Sequence, residues 1–321
     1  MSEFDLIRRL QEIISNQSSS HSCVIGIGDD AAVLAVPAGK QLVVTTDTLV
    51  EGVHFYPQTD AGSLGYKALA VSLSDLASMG AEPAWFFLAL TLPGVDTAWI
   101  DPFARGMADL AESAGIELAG GDTTAGPLSI TVTALGLVET GQALTRDGAR
   151  EGDLLVVSGT LGGAAFALQT ITAGEVPDSA CAEELNRPQP RLSLGRHLRG
   201  CASSCIDLSD GLLADLDHIL RASGKGAVIE LERLPCPESM AVLKEAERLE
   251  LLTGGGDDYE LCFTVPPDRV HELKAIEKET GTRLTVIGEI TGSGELLCRT
   301  GDGGIFHPAR KGYEHFSRVK T

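Results

Sequence analysis

A large share of the aspartates in this chain falls in five short segments rich in Gly, Ser and Thr, each set against an apolar run. They are GIGDDAAVL (26–34), TTDTLVEGVHF (45–55), SLSDLASMG (72–80), AGGDTTAGP (119–127) and IDLSDGLLADL (206–216). Small neighbours let carboxylates crowd together, and crowded carboxylates repel one another unless a hard cation neutralises them. A single such aspartate is more often a turn former or a helix N-cap. Five contexts together shift the balance toward a shared site.

Magnesium is the natural occupant, because it takes oxygen ligands and commonly shares its shell between one or two carboxylates, water and phosphate. Asp30, Asp47, Asp75, Asp122, Asp207 and Asp210 can each give an oxygen, and Thr45 and Thr46 can add hydroxyl or backbone oxygens. Standard phosphate motifs do not explain the pattern: GxxxxGK[ST] is absent, and GIGDDA fails the last position of GxGxxG. The turn SGTLGGAAFAL (158–168) can cradle a phosphate on backbone N–H groups or be a plain tight turn. In DLSDGLL, Asp207, Ser209 and Asp210 precede an apolar helix, as caps or as ligands. LLTGGGDDYELCFTV (251–265) reads equally as a hairpin turn or a pocket floor. The seven histidines show no paired-ligand spacing; His54 stands out only because VEGVHF follows an acidic strand end.

The chain has 321 residues with a formal charge of −20, which excludes the basic footprint of a nucleic-acid binder and repels anionic membranes. A phosphorylated ligand therefore needs a cation as intermediary. No run of about 18 apolar residues is present, so no transmembrane helix is expected. Seven scattered cysteines without a C-x-x-C pair are expected to be reduced, mostly buried thiols of a cytoplasmic protein.

The length points to two domains with a boundary in DGAREGD (147–153), giving 1–148 and 149–321. In the first, periodicity predicts an amphipathic helix ending in the loop NQSSSHS, a strand at 41–46, a helix at 66–79, a strand at 85–92, a helix at 97–113 and a strand at 128–138. In the second it predicts a strand at LLVVSG, a Gly-rich turn into a helix over 159–170, and helices at 212–222, 238–249 and 268–279.

Taken in order, GIGDDAAV, TTDTLVEGVHF, GYKALAVSLSDLASMGAEP, GGDTTAGP, ALTRDGA, DLSDGL, GGGDDYEL and the terminal KGYEHF resemble the thiamine-monophosphate kinase family, nearly end to end. That family sits in the superfamily that includes aminoimidazole ribonucleotide synthetase. The resemblance implies a mixed α/β, two-domain fold of that type, an N-terminal sheet contributing to a barrel in a homodimer, and a C-terminal domain closing the nucleotide and substrate site. It implies that Asp30, Thr45, Thr46, Asp47, Asp75, Asp122, Asp207 and Asp210 bind several Mg²⁺ ions around ATP. Gly121, Asp122, Arg146 and Ser209 then meet the nucleotide, and His54, Glu260 and Tyr313 meet thiamine monophosphate. The family places an ATP-contacting aromatic near position 105, where this chain has Arg105.

The implied reaction moves the γ-phosphoryl of ATP onto a phosphate oxygen. A phosphate monoester, with a second pKa of about 6, is already largely dianionic at neutral pH and needs no strong base. Two rivals remain at this stage: another ATP-dependent synthetase of the superfamily, of purine-biosynthetic or selenophosphate type, and a non-catalytic divalent-cation-binding module.

Overall fold

The structure is a computed structural model that describes residues 2–14 and 23–316. It divides into two compact units, Met1–Leu76 with Ala81–Ala143, and Ala77–Gly80 with Leu144–Thr321. The loop expected at NQSSSHS lies outside the described residues.

The first unit is a four-stranded sheet with helices. Its strands are β1 (Lys40–Val50), β2 (Glu82–Leu92), β3 (Glu117–Ala125) and β4 (Ser129–Glu139), in the order β1-β4-β2-β3. The β1–β4 and β4–β2 pairs are antiparallel and β2–β3 is parallel. Its helices are α1 (Glu3–Ile14), α2 (Ala61–Ser78) and α3 (Thr97–Ala114). The pleat sorts residues by parity. Phe86, Leu88, Leu90, Ile130, Val132 and Ala134 are buried on one face, where Ser72 of α2 reaches the Val132 carbonyl. Trp85, Leu135 and Leu137 turn to the other face, covered by Cys23, Ala32 and Leu34.

Leu6, Leu10 and Ile14 recur at helical spacing and bury one stripe of α1. Arg9 fastens that helix to α3 through a bidentate ion pair with Asp101, which holds the Asp101 carboxyl below its ordinary value. A lowered acid pKa stabilises the fold above the unfolded value of about 3.9 and ceases to do so as pH falls through the folded value. Asp101→Asn is therefore expected to lower amide-exchange protection in α1 at pH 6, with a deficit that shrinks as the pH falls below the ordinary carboxylate range, as read by hydrogen exchange.

The second unit carries a seven-stranded mixed sheet ordered β11-β10-β7-β9-β5-β8-β6. These are β5 (Leu154–Ser158), β6 (Ser204–Asp207), β7 (Gly226–Glu230), β8 (Leu261–Val265), β9 (Leu284–Thr291), β10 (Leu296–Arg299) and β11 (Ile305–Phe306). The helices are α4 (Gly163–Thr172), α5 (Ser179–Asn186), α6 (Leu192–Leu198), α7 (Leu212–Ser223), α8 (Glu245–Gly254) and α9 (Leu273–Thr280). Leu155, Ile206, Leu212, Leu216, Ile229 and Ile287 gather in one core cluster, Val156, Leu194, Leu261 and Phe263 in another.

Two helices expected from periodicity start later than predicted. The 238–249 segment is a 3₁₀ turn, Glu238–Val242, followed by extended Leu243 and Lys244 before α8. The 268–279 segment likewise opens as 3₁₀ before α9. All seven cysteines are free thiols, five of them buried. Among the described residues no helix is long and apolar enough to cross a membrane.

Candidate active site

In the first unit, the long β1 strand sets the site. Thr45 and Asp47 are two apart and share the face toward α2. There Thr45 Oγ1 donates to the Asp75 carboxylate, and Ser72 Oγ donates to Asp47 Oδ2 at 2.8 Å. Ser72 and Asp75 come from adjacent turns of α2 and so reach the same side. Burial pushes the Asp47 carboxyl up to about 6, the neighbouring Asp75 charge adds to the rise, and the Ser72 bond opposes it. Two carboxylates held side by side in a half-buried position are a donor set that suits a hard divalent cation.

The other first-unit residues stand elsewhere. Thr46 alternates to the opposite face, where its hydroxyl is hydrogen-bonded to that of Thr133 at 2.9 Å. Asp122 aligns with Ala89 and Thr131 on the row of that opposite face, at the far edge of the sheet from Asp47. Two strands intervene, which amounts to about 14 Å at ordinary strand spacing. Asp30 is exposed in the segment whose Ala32 and Leu34 cover that face. Gly121 answers a backbone demand: at φ 157° a Cβ there would come within 1.9 Å of the Leu88 carbonyl oxygen. His54 sits in the turn after β1 and accepts from Val50 N–H through Nδ1 at 3.0 Å, which puts the proton of its neutral form on Nε2. Arg105 pairs with Asp101 on its own helix at 3.6 Å.

In the second unit three distant segments meet. The chain at 208–210 runs beside 257–260, with Tyr259 N–H donating to Leu208 O at 2.7 Å, Asp257 N–H to Ser209 O at 2.8 Å and Leu208 N–H to Glu260 O at 2.8 Å. Tyr313 N–H donates to Asp210 O at 2.9 Å, which brings the terminal KGYEH onto the same place. GGGDDYE is thus no hairpin turn. Asp257 and Tyr259 have φ of 69° and 50°, a left-handed conformation rare outside glycine and concentrated at functional sites.

Capping resolves the ambiguity at DLSDGLL. The N-cap of α7 is Gly211, with no side-chain cap bond, and Asp215 in the first turn reaches back to accept from the N–H groups of Asp210 and Gly211 at 3.0 Å each. Ser209 and Asp210 are therefore not the capping side chains. Burial, with the Asp210 charge, raises Asp215 to about 7. Asp210 is itself raised by burial, with His315 and His218 pulling it down and Asp257 pushing it up. Asp207 is buried at the end of β6, Tyr313 is half exposed with its ring edge-on to His315, and Arg146 is exposed.

The Gly-rich turn at 158–163 is also spoken for. Gly162 N–H, at the start of α4, donates to both oxygens of Asp258 at 2.9 and 3.1 Å, so a carboxylate sits where a phosphate was conceivable. Beside it lies a charged group that the sequence did not announce. Arg191 donates to both oxygens of buried Glu260, through Nε to Oε2 at 2.7 Å and through Nη2 to Oε1. Ser158 Oγ donates to Glu260 Oε2, and Thr160 Oγ1 donates to Glu184 at 3.1 Å. Burial raises Glu184, with the Glu260 charge adding to the rise and Arg191 opposing it. Among the described residues, no three or more His, Cys, Asp or Glu side chains are gathered as a ready-made metal cage.

This combination of an antiparallel-based first sheet, a mixed second sheet and acids at their edges defines a class. Residues 28–138 match the AIR synthase related protein N-terminal domain, and residues 150–298 match the AIR synthase related protein C-terminal domain. Hydrogenase maturation protein HypE of E. coli shares the fold, with a TM-score of 0.81 over 99% of both chains at 21% identity. Greater likeness is found to the thiamine-monophosphate kinase of Escherichia coli K12, 46% identical over 98% of both chains. The crystal structure of thiamine-monophosphate kinase from Stenotrophomonas maltophilia K279a is 43% identical, with a TM-score of 0.85 over 93% of this chain and 96% of that one. A structure described as AaThiL complexed with AMPPCP and TMP is 30% identical, with a TM-score of 0.77 over 98% and 97%. The chain belongs to the thiamine-monophosphate kinase family.

Proposed function

We propose that this chain transfers the γ-phosphoryl of ATP to the phosphate of thiamine monophosphate, giving thiamine diphosphate and ADP. The observation that carries this reading is likeness along the whole chain to thiamine-monophosphate kinases, one relative having been solved with AMPPCP, an ATP analogue, and TMP. HypE-like neighbours at 20–21% identity speak for the fold alone.

Asp47 and Asp75, steadied by Ser72 and Thr45, fit Mg²⁺ by the chemistry of their oxygens. Asp30, Thr46, Asp122, Asp207 and Asp210 complete the proposed metal-binding set, Thr46 through its backbone oxygen because its hydroxyl faces Thr133. Mg²⁺ held by these residues would supply Lewis-acid screening of the phosphate charge. Gly121, Asp122, Arg146 and Ser209 are proposed to bind ATP, with Arg146 adding a fixed positive charge. His54, Glu260 and Tyr313 are proposed to hold thiamine monophosphate. The acceptor is a phosphate oxygen already deprotonated at neutral pH, so no side chain is asked to act as general base.

A homodimer and a cytoplasmic setting complete the reading. The dimer is supported by β1, an edge strand that leaves Leu42 and Val44 exposed, a combination that invites pairing with another chain.

The test is ADP release with thiamine monophosphate, thiamine and aminoimidazole ribonucleotide precursors offered side by side. Release with thiamine monophosphate alone is expected. Release only with a purine precursor would overturn the assignment.

A further inference from the structure

We propose that Arg191 is a positioning residue that determines specificity at the ring end of thiamine monophosphate, by fixing the Glu260 carboxylate so that it offers one hydrogen-bond acceptor site to the substrate. The inference rests on the function proposed above. A carboxylate has about four lone-pair sites. Arg191 occupies one on each oxygen and Ser158 a third. The remaining site suits a single N–H donor such as the exocyclic amine of an aminopyrimidine.

The enclosure is built for this. Ser158 also accepts from Leu261 N–H at 2.8 Å, so its hydroxyl is locked toward Glu260. Gly159 stands at φ 59°, and a Cβ there would come within 1.9 Å of Glu260 Oε1, so the backbone hugs the carboxylate. Arg191 is delivered by the proline-flanked loop RPQPR immediately before α6 and is itself three-quarters buried. Its fork geometry matches both oxygens at once, which a lysine cannot reproduce. Its charge also opposes the rise that the Glu260 charge imposes on neighbouring Glu184.

The experiment compares Arg191→Lys and Arg191→Gln with the parent enzyme in full steady-state kinetics, together with Glu260→Gln and the Arg191→Gln/Glu260→Gln pair. The expected result is a KM for thiamine monophosphate raised about 10–100-fold in Arg191→Gln, as when the group orienting a ligand is removed. The KM for ATP should stay within about twofold and kcat should change far less than KM. Arg191→Lys should recover only part of the loss, and the double variant should be little worse than the worse single one. A KM for thiamine monophosphate unchanged in both Arg191 variants overturns the proposal, as does an equal rise in the KM for ATP. If Arg191→Gln does not fold, Arg191→Lys decides: a parental KM for thiamine monophosphate counts against the proposal and a selective rise supports it. Failure of the parent enzyme to release ADP with thiamine monophosphate would count against the functional assignment instead.

Discussion

Asp47→Asn is expected to lower kcat by about 10³-fold or more while making the metal-free protein more stable. The loss follows from removing one of two adjacent carboxylates whose oxygens the proposed reaction needs around a divalent cation; such metal–oxyanion interactions supply several kcal/mol of transition-state stabilisation. The gain follows from the same geometry. Asp47 is held half-buried beside Asp75 on the α2 side of the sheet, where an ionised side chain is unfavourable. An asparagine keeps the oxygen that accepts from Ser72 and removes the like-charge contact. A variant that loses turnover and gains several degrees of Tm, measured without metal and with EDTA, is the signature of a residue retained for chemistry at the expense of stability. Near-normal turnover of Asp47→Asn at ordinary Mg²⁺ would remove Asp47 from the site.

The second large effect is on stability alone. Helices α2 and α3 cross with their backbones almost touching. A Cβ on Gly106 would lie 1.8 Å from Gly62 O, and one on Gly65 would lie 1.9 Å from Phe103 O. Neither obstacle is a movable side chain, so the helices must separate. Gly106→Ala is expected to cost about 3 kcal/mol or more, at the upper end of overpacking substitutions. Gly65→Ala should cost a similar amount. One separation relieves both clashes, so the double variant should be less destabilised than the two singles added together. Urea midpoints of the four proteins measure this. Additive costs would mean that the two contacts yield independently.

Much of the first unit is legible from periodicity alone. The alternating run that becomes β4 and the apolar runs of β2, α2 and α3 carry their period in plain view. Strand β3 does not: AGGDTTA has few apolar residues, and it is ordered by its parallel edge pairing with β2. Period-two alternation could have separated Thr45 from Thr46, since neighbouring strand residues face opposite sides. The break before α8 follows from extended backbone at Leu243 and Lys244, which an apolar pattern running through them conceals.

The candidate site divides in the same way. Asp47 and Asp75 are recognisable by their crowded contexts, and the structure brings them together across 28 residues of chain. That Asp215 steadies the start of α7 was available from its place in the first turn of that helix. The Arg191–Glu260 pair was not, because 69 residues separate its members and an arginine in a proline-flanked loop gives no local sign of its partner. The left-handed Asp257 and Tyr259 were hidden too, since a non-glycine residue does not announce such a conformation.

The most direct measurement follows the phosphorus. With ATP labelled at its γ-phosphoryl, thiamine monophosphate and Mg²⁺, the label is expected to enter the terminal phosphate of thiamine diphosphate in step with ADP formation. Label recovered as inorganic phosphate, with thiamine monophosphate unchanged, would contradict that expectation.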